Sequence, residues 1–246
     1  MSLLAFRQVS KRFTDGMGEI AVLDRVSFEV EVGETVGLLA SRRAGKTTLL
    51  MVAAGLLAPS EGQVLWDEDT DFGALSPDER ARFRRRGGIA FMQEDWRAER
   101  GTTVLAHVAV PHYSMGMKMG DAEEHALRTL ELLEAGNLAY RSTRELGLPE
   151  RSIVELARAI VREPRLLLVD EPAVLPRPMD ARVFYALLRS LPEKIGCSLL
   201  IASEEVTPLG GCRPMMTLSD GHLTSTATRR KVIAFPGGGP QSKQAS

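Results

Sequence analysis

The sequence has few of the features that crosslink a protein or anchor it in a membrane. It contains two cysteines, Cys197 and Cys212, whose spacing matches neither a zinc site nor a disulfide framework, so we expect free buried thiols. It has no run near the roughly 18 consecutive apolar residues that span a bilayer. We therefore expect a cytoplasmic chain that reaches a membrane only if a partner recruits it.

An excess of charge of one sign is also missing. Lysine and arginine number 31 and aspartate and glutamate 32, which leaves a formal net charge of -1. Because nucleic-acid binding depends largely on basic side chains that neutralise phosphates, this balance predicts no nucleic-acid partner. The 246 residues, 44% of them hydrophobic, are enough for one substantial core.

Strand patterns occur in both halves of the sequence. Residues 3–9 and 25–31 predict two short strands joined by turn residues at 14–19, and the second alternates like an antiparallel strand half exposed to water. Residues 165–172 and 198–205 are apolar runs typical of parallel strands covered on both faces, with a helical segment between them. Strands alternating with helices predict a right-handed parallel α/β core behind an N-terminal antiparallel β subdomain.

The middle and the end of the chain differ from this core. Residues from about 98 to 150 show helical patterning and no strand-like run longer than a few residues, which predicts a helical insertion. Residues 226–246 are rich in Gly, Pro, Gln and Ser, which predicts a flexible tail. We therefore expect one domain over residues 1–225, with a helical subdomain inside it.

A candidate phosphate-binding loop follows the strand at residues 35–40. Gly45 and the start of a helix would offer backbone N–H groups and the positive end of the helix dipole, Lys46 a charge for the β and γ phosphates, and Thr47 a hydroxyl for Mg²⁺. The full pattern has glycine where Ala40 stands, and Arg43 stands where many such loops carry another. The alternative is that Gly-Lys-Thr at a helix start is chance. The predicted nucleotide contacts in this segment are Ala40, Ser41, Arg42, Arg43, Ala44, Gly45, Lys46, Thr47 and Thr48.

Two acidic residues follow the apolar run at 165–172. Asp170 is suited to a Mg²⁺-bound water, and Glu171 is suited to polarise the water that attacks in phosphoryl transfer. The alternative is a buried strand that ends in two acidic residues without a role in catalysis. The order and separation of this segment and the loop at Lys46 favour a nucleotide site over that alternative.

Taken together, these segments resemble the ATP-binding-cassette ATPases over nearly the whole chain, up to about residue 225. The resemblance implies a P-loop NTPase core that binds ATP and Mg²⁺, with Phe13 stacked on adenine and Gln93 contacting Mg²⁺ and relaying to a membrane domain. It also implies a metal set of Thr47, Gln93 and Asp170. Residues 75–93 are similar to the lipoprotein-release, macrolide-export and cell-division group. A core role for Phe13 and a solvated loop position for Gln93 are the alternatives.

Several motifs of that family are altered in this sequence. The signature, ordinarily Leu-Ser-Gly-Gly-Gln, aligns to residues 146–150, where the hydroxyl is absent, Pro149 has no N–H, and Glu150 brings negative charge toward a phosphate. The switch histidine aligns to Ser203, so the catalytic set implied by the resemblance is Glu171, Gln93 and Ser203. The D-loop corresponds to residues 173–180, where prolines stiffen the chain.

The distribution of these changes points to partners. In the family, each composite site combines the phosphate loop of one subunit with the signature of the other, so a homodimer would lack both a normal signature and a switch histidine in each site. We therefore expect a heterodimer with an intact paralogue. The resemblance also implies attachment to transmembrane permease subunits at the inner face of the cell membrane. The leading hypothesis is a transporter ATP-binding subunit with slow or partner-supplied hydrolysis. A non-hydrolysing regulatory cassette is the alternative, and a P-loop kinase is the weakest candidate because no acceptor site or lid is recognisable.

Overall fold

The structure is a computed structural model that describes residues 1–16, 18–86, 88–93, 102–172 and 177–225. The predicted tail at 226–246 and the first part of the predicted D-loop, residues 173–176, lie outside this set. Within the described ranges, none of the helices has the length and apolar character needed to cross a bilayer.

An antiparallel sheet is built on a long hairpin of β1 (Ser2–Asp15) and β2 (Gly18–Glu31). The strand β4 (Glu61–Trp66) pairs with β1, and the short β5 (Thr70–Asp71) follows it at the edge. Both hairpin strands are longer than predicted, because the backbones stay paired through Thr14↔Glu19 in the segment expected to be only a turn. Backbone pairing needs no apolar alternation, so the sequence pattern missed it.

A mixed sheet of six strands forms the centre of the fold, in the order β10-β9-β3-β8-β7-β6. The first five in chain order run parallel to one another, and the last pairs antiparallel at one edge, so the sheet is mixed rather than wholly parallel. Their bounds are β3 Thr35–Ala40, β6 Ile89–Gln93, β7 Leu166–Asp170, β8 Ser198–Ser203, β9 Met215–Ser219 and β10 His222–Ser225.

Six α-helices surround the two sheets in the described ranges: α1 Lys46–Ala53, α2 Pro77–Arg85, α3 Val104–Tyr113, α4 Met119–Leu132, α5 Leu148–Ile160 and α6 Pro178–Ile195. Helix α1 ends at Ala53, two residues before Gly55, which adopts a left-handed φ of 63°. Helix α2 was not predicted, although Ser76 and Glu79 form the reciprocal capping box that announces a helix start.

The central sheet separates two hydrophobic cores. Alternate residues of β7 point to opposite faces, so Leu168 packs with α1 and the antiparallel sheet, whereas Leu167 packs with α3 to α6. Strand β8 divides in the same way between Leu200 and Leu199. This arrangement confirms the predicted class: an α/β protein with a parallel core, an N-terminal antiparallel β sheet and helices in the middle of the chain.

Candidate functional site

Four parallel strands end at one edge of the central sheet, and the predicted chemistry-bearing residues lie there. In open α/β sheets, ligands bind outside the carboxyl ends of the strands. Strands β3, β6, β7 and β8 end at Ala40, Gln93, Asp170 and Ser203. The sequence motifs are therefore brought together from four separate parts of the chain.

The loop between β3 and α1 has the backbone shape of a phosphate cradle. Arg43 adopts φ 66° and Gly45 φ 103°, both in the left-handed region. A Cβ at Gly45 would lie 3.0 Å from the carbonyl oxygen of Val22, so glycine is required there by space as well as by conformation. The left-handed backbone at Arg43 agrees with the sequence analysis, in which Arg43 stands where many such loops carry a glycine.

Lys46 is buried at the centre of the loop, and its ammonium group is surrounded by oxygen atoms. It donates to the carbonyl oxygens of Ala40 and Ser41 at 3.0 and 3.1 Å. It also lies 3.0 Å from Glu171 Oε1 and 3.2 Å from Glu204 Oε1. The positive charge predicted to bind phosphate is thus held by two carboxylates.

Thr47 and Asp170 are in direct contact. The Thr47 hydroxyl donates to Asp170 Oδ2 at 2.6 Å, while Asp170 Oδ1 is buried and has no hydrogen-bond partner among the described residues. Burial raises the pKa of Asp170, and the Thr47 hydrogen bond opposes this shift. A hydroxyl beside a carboxylate with a free oxygen fits the ligands Mg²⁺ takes when it binds with nucleotide phosphates. Both residues would hold such an ion.

Glu171 lies beside them with a strained backbone, at φ 49°. Its Oε2 accepts from the Ser203 hydroxyl at 3.3 Å and from the Glu204 amide at 3.2 Å. Ser203 is itself buried, and its hydroxyl oxygen accepts from the amide of Glu205. Ser203 therefore orients Glu171. The residue that sequence reasoning missed is Glu204, for which only its position directly after β8 gave a signal.

Two adjoining cavities flank the loop. One, of about 280 Å³, is lined by Val22, Arg42, Arg43, Gly45, Lys46, Thr47, Thr48, Glu171 and Glu204. The other, of about 460 Å³, is lined by Ile20, Ala21, Val22, Ser41, Arg42, Arg43, Ala44, Asp220 and Gly221. Of the loop residues predicted to contact nucleotide, those from Ser41 to Thr48 line one or both cavities, and Ala40 ends β3 beside them. The structure therefore brings this predicted set together.

Phe13 is not among the residues that line these two cavities. It lies on β1 opposite Ile20, its side chain is 40% exposed, and the Lys11 ammonium is 5.1 Å from the centroid of its ring. The neighbouring strand, through Ile20 and Val22, lines the second cavity instead. The exposed fraction argues against the alternative of a core aromatic and leaves part of the ring available for stacking.

Gln93 also lies near the site without joining it. It pairs in register with Asp170 at the end of β6, but its exposed side chain lines a separate groove of about 530 Å³. Strand β6 forms one wall of this groove, and Glu155, Arg158 and other residues near the end of α5 form the opposite wall. Residues 94–101, which follow Gln93, lie outside the described part of the chain.

The start of α5, where the altered signature aligns, is closed by its own side chains. Glu150 Oε2 accepts from the amide of Gly147 at 2.8 Å, and its Oε1 lies 2.5 Å from the Arg141 guanidinium. Burial raises the pKa of Glu150, but the Gly147 amide and Arg141 outweigh it, so the pKa lies below its ordinary value. The expectation of a bare negative charge at this position was incomplete, because Arg141 neutralises it.

Glu150→Gln should lower the free energy of unfolding by about 1 kcal/mol, since it weakens the contact that caps α5 and removes the ion pair with Arg141. Because the folded-state pKa is depressed, this contribution is present above the ordinary pKa of glutamate and is lost as pH falls through the folded value. Urea unfolding at pH 7 and at pH 3 to 4 measures both effects. Glu145→Gln, which removes a nearby exposed charge, is the matched control. Equal stability of both variants at pH 7 would contradict the cap.

The loop, the strand order and the acidic pair at the ends of β3 and β7 define a P-loop nucleotide-binding cassette. The sequence profile described as "ABC transporter" matches residues 23–174. The chain belongs to the ABC transporter family, as one of its ATP-binding subunits.

The relatives support the same family. The chain is 33% identical over 235 residues to the methionine import ATP-binding protein MetN of Myxococcus xanthus, covering 95% of this chain and 70% of that one. It is 29% identical over 228 residues to the lipoprotein-releasing system ATP-binding protein LolD of Shewanella denitrificans, covering 93% and 97%. This second match agrees with the resemblance of residues 75–93 to the lipoprotein-release group.

Solved structures show the same fold. The dimeric ATP-binding cassette MJ0796 bound to ADP and Pi superposes with a TM-score of 0.80 at 24% identity, covering 89% of this chain and 96% of that chain. The structure of cbiO1 from Clostridium perfringens, part of the ABC transporter complex cbiONQ, gives a TM-score of 0.79 at 22% identity, covering 91% of this chain and 87% of that chain.

Proposed function

We propose that this chain binds Mg-ATP at the loop following β3 and hydrolyses it slowly. The observation that carries the proposal is the cluster of Lys46, Thr47 and Asp170, which supplies an ammonium for phosphate and a hydroxyl and carboxylate for Mg²⁺. Mg²⁺ would neutralise phosphate charge when bound. Phe13 would stack on adenine, and Gln93 would complete the metal set.

Slow hydrolysis is supported by what surrounds Glu171. Phosphoryl transfer depends on positioned groups that stabilise charge in the transition state, and Glu171 is placed to orient a water. Its neighbours here are the Ser203 hydroxyl and the carboxylate-bearing Glu204, neither of which supplies positive charge. The side chain of Lys46 is shared with both carboxylates. We therefore place this site among binding sites with weak catalysis.

The partner of this chain is proposed to be a second, intact ATP-binding subunit. In a composite site the α5 terminus would face the partner's nucleotide, but Glu150 already occupies the Gly147 amide and Pro149 has no N–H to donate. Two copies of this chain would place the same closed terminus in both sites. A heterodimer with an intact paralogue would have the closed terminus in only one of its two sites, which favours the heterodimer over the homodimer.

The membrane partners are proposed to be permease subunits, which would hold the chain at the inner face of the membrane. They would dock at the groove beside Gln93, between β6 and the end of α5, because this groove lies next to the nucleotide site and carries both acidic and basic side chains. Dimer closure on ATP would move residues 1–225 as one ATPase domain, with the helical subdomain at about 98–150 transmitting the motion.

The alternative is a regulatory cassette that binds nucleotide only to hold the assembly closed, and the closed α5 terminus and altered switch position favour it. Glu171→Gln in the complex purified through this chain separates the two. If this chain contributes to turnover, we expect ATP hydrolysis by the complex to fall about 10-fold or more, because Glu171 would no longer orient a water. Glu205→Gln is the control. Unchanged turnover would contradict the hydrolytic contribution and support the regulatory role.

A further inference from the structure

Glu204 occupies a position in the phosphate cavity that no predicted motif accounts for. It directly follows β8, and its Oε1 lies 3.2 Å from Lys46 Nζ. Its backbone amide donates to Glu171 Oε2 at 3.2 Å, which fixes the backbone of this residue against the acidic pair. Glu204, Lys46 and Glu171 all line the cavity of about 280 Å³.

The two carboxylates that hold Lys46 differ in their freedom. Glu171 is also held by the Ser203 hydroxyl and the Glu204 amide, and 27% of its side chain is exposed. The Glu204 side chain is 43% exposed, and among the described residues its carboxylate contacts Lys46. Glu204 can therefore leave the ammonium by rotating its side chain, whereas Glu171 would have to break other hydrogen bonds.

The lysine of such a loop serves the β and γ phosphates, so a bound nucleotide must compete with Glu204 for the same ammonium. After displacement, the carboxylate stays tethered close to the phosphates by the backbone bond to Glu171. Its repulsion grows with each phosphate charge placed near Lys46, and solvent screens it only partly at this exposure. ATP, which carries one more phosphoryl group than ADP, is opposed more strongly.

We propose that Glu204 determines nucleotide specificity at this site: it holds Lys46 in the nucleotide-free protein and disfavours the terminal phosphate of ATP relative to ADP. The inference rests on the proposed nucleotide-binding function of the chain. It implies that this site favours the diphosphate over the triphosphate more strongly than an equivalent loop without this carboxylate would.

Calorimetric titration with Mg-ATP and Mg-ADP tests the inference on the full chain. Glu204→Gln should bind Mg-ATP about tenfold more tightly than the wild type and Mg-ADP only about twofold more tightly. Glu204→Asp, which keeps the charge, should leave the ratio of the two affinities within about twofold of the wild-type ratio. Glu205→Gln removes the neighbouring carboxylate and should change neither affinity. Thermal unfolding of each variant confirms that the fold is intact.

The outcomes separate this inference from the proposed function. If the wild type and all variants bind neither nucleotide, nucleotide binding and the role of Glu204 are both overturned. If the wild type binds but Glu204→Gln changes neither affinity, or raises both equally, only the specificity role is overturned. A rise in the ATP-to-ADP affinity ratio confined to Glu204→Gln supports it, because a merely structural residue would shift both affinities together.

Discussion

Lys46→Ala should weaken Mg-ATP binding by about 100-fold or more, which corresponds to about 2.7 kcal/mol. The ammonium is the buried positive charge of the phosphate cavity, and it lies within 3.2 Å of two carboxylates. Its removal eliminates the attraction for phosphate and leaves Glu171 and Glu204 without their neutralising partner. Each effect acts against a bound anion in a partly desolvated site. Calorimetric titration of the purified chain with Mg-ATP measures the change.

Lys118→Ala is the control for this prediction, because Lys118 is an exposed lysine that precedes α4, away from the cavity. Its affinity for Mg-ATP should equal that of the wild type. Thermal unfolding of Lys46→Ala shows whether the loop still folds without its central side chain. If the wild type and Lys46→Ala bind Mg-ATP equally, and both with a dissociation constant that is millimolar or weaker, Lys46 does not form a nucleotide site.

Restoring the family signature should raise ATP turnover of the proposed heterodimer by up to about 10²-fold, the effect commonly found for one transition-state contact. The changes are Gly147→Ser, Leu148→Gly, Pro149→Gly and Glu150→Gln. They supply a hydroxyl and an additional N–H, and they replace the carboxylate that accepts from the Gly147 amide with a neutral amide oxygen. The partner's nucleotide would then meet added donors at a helix N-terminus that no longer carries a negative charge.

Turnover of the purified complex and the fraction of ATP-closed dimer measure this effect. Glu150→Gln alone is the comparison, because it weakens the carboxylate cap but leaves Pro149 and adds no hydroxyl; it should recover little of the turnover. If the full restoration changes neither turnover nor closure while Lys46→Ala in this chain abolishes transport, the start of α5 is a neutral structural cap. Ser203→His would act separately, on this chain's own site.

Most of the fold could be predicted from local patterns. The buried strands β7 and β8 are apolar on both faces and stand out in the sequence, as does the loop at Gly45. The extended hairpin of β1 and β2 was missed beyond its amphipathic part, because backbone pairing leaves no side-chain signature. The antiparallel β10 was missed because four residues carry too little pattern to identify a strand.

The candidate site was predictable in its residues but not in its internal contacts. The spacing of Lys46, Thr47 and Asp170 identified groups suited to Mg-ATP, and the strand order brings them to one edge of the sheet. Sequence could not show that Glu204 reaches Lys46, since the contact joins residues 158 positions apart. Nor could it show that Glu150 turns back onto Gly147 and Arg141, because the direction of a side chain depends on its folded neighbours.

The steady-state rate of ATP hydrolysis by the purified chain, at Mg-ATP concentrations that saturate binding, tests the central claim most directly. The site would hold Mg-ATP through Lys46, Thr47 and Asp170, but the Lys46 ammonium that contacts Glu171 is shared with Glu204, and Ser203 adds no positive charge. We therefore predict turnover at least about 10²-fold below the roughly 1 to 10 per second usual for enzymes. A rate of about 1 to 10 per second from the isolated chain, abolished by Glu171→Gln, would contradict it.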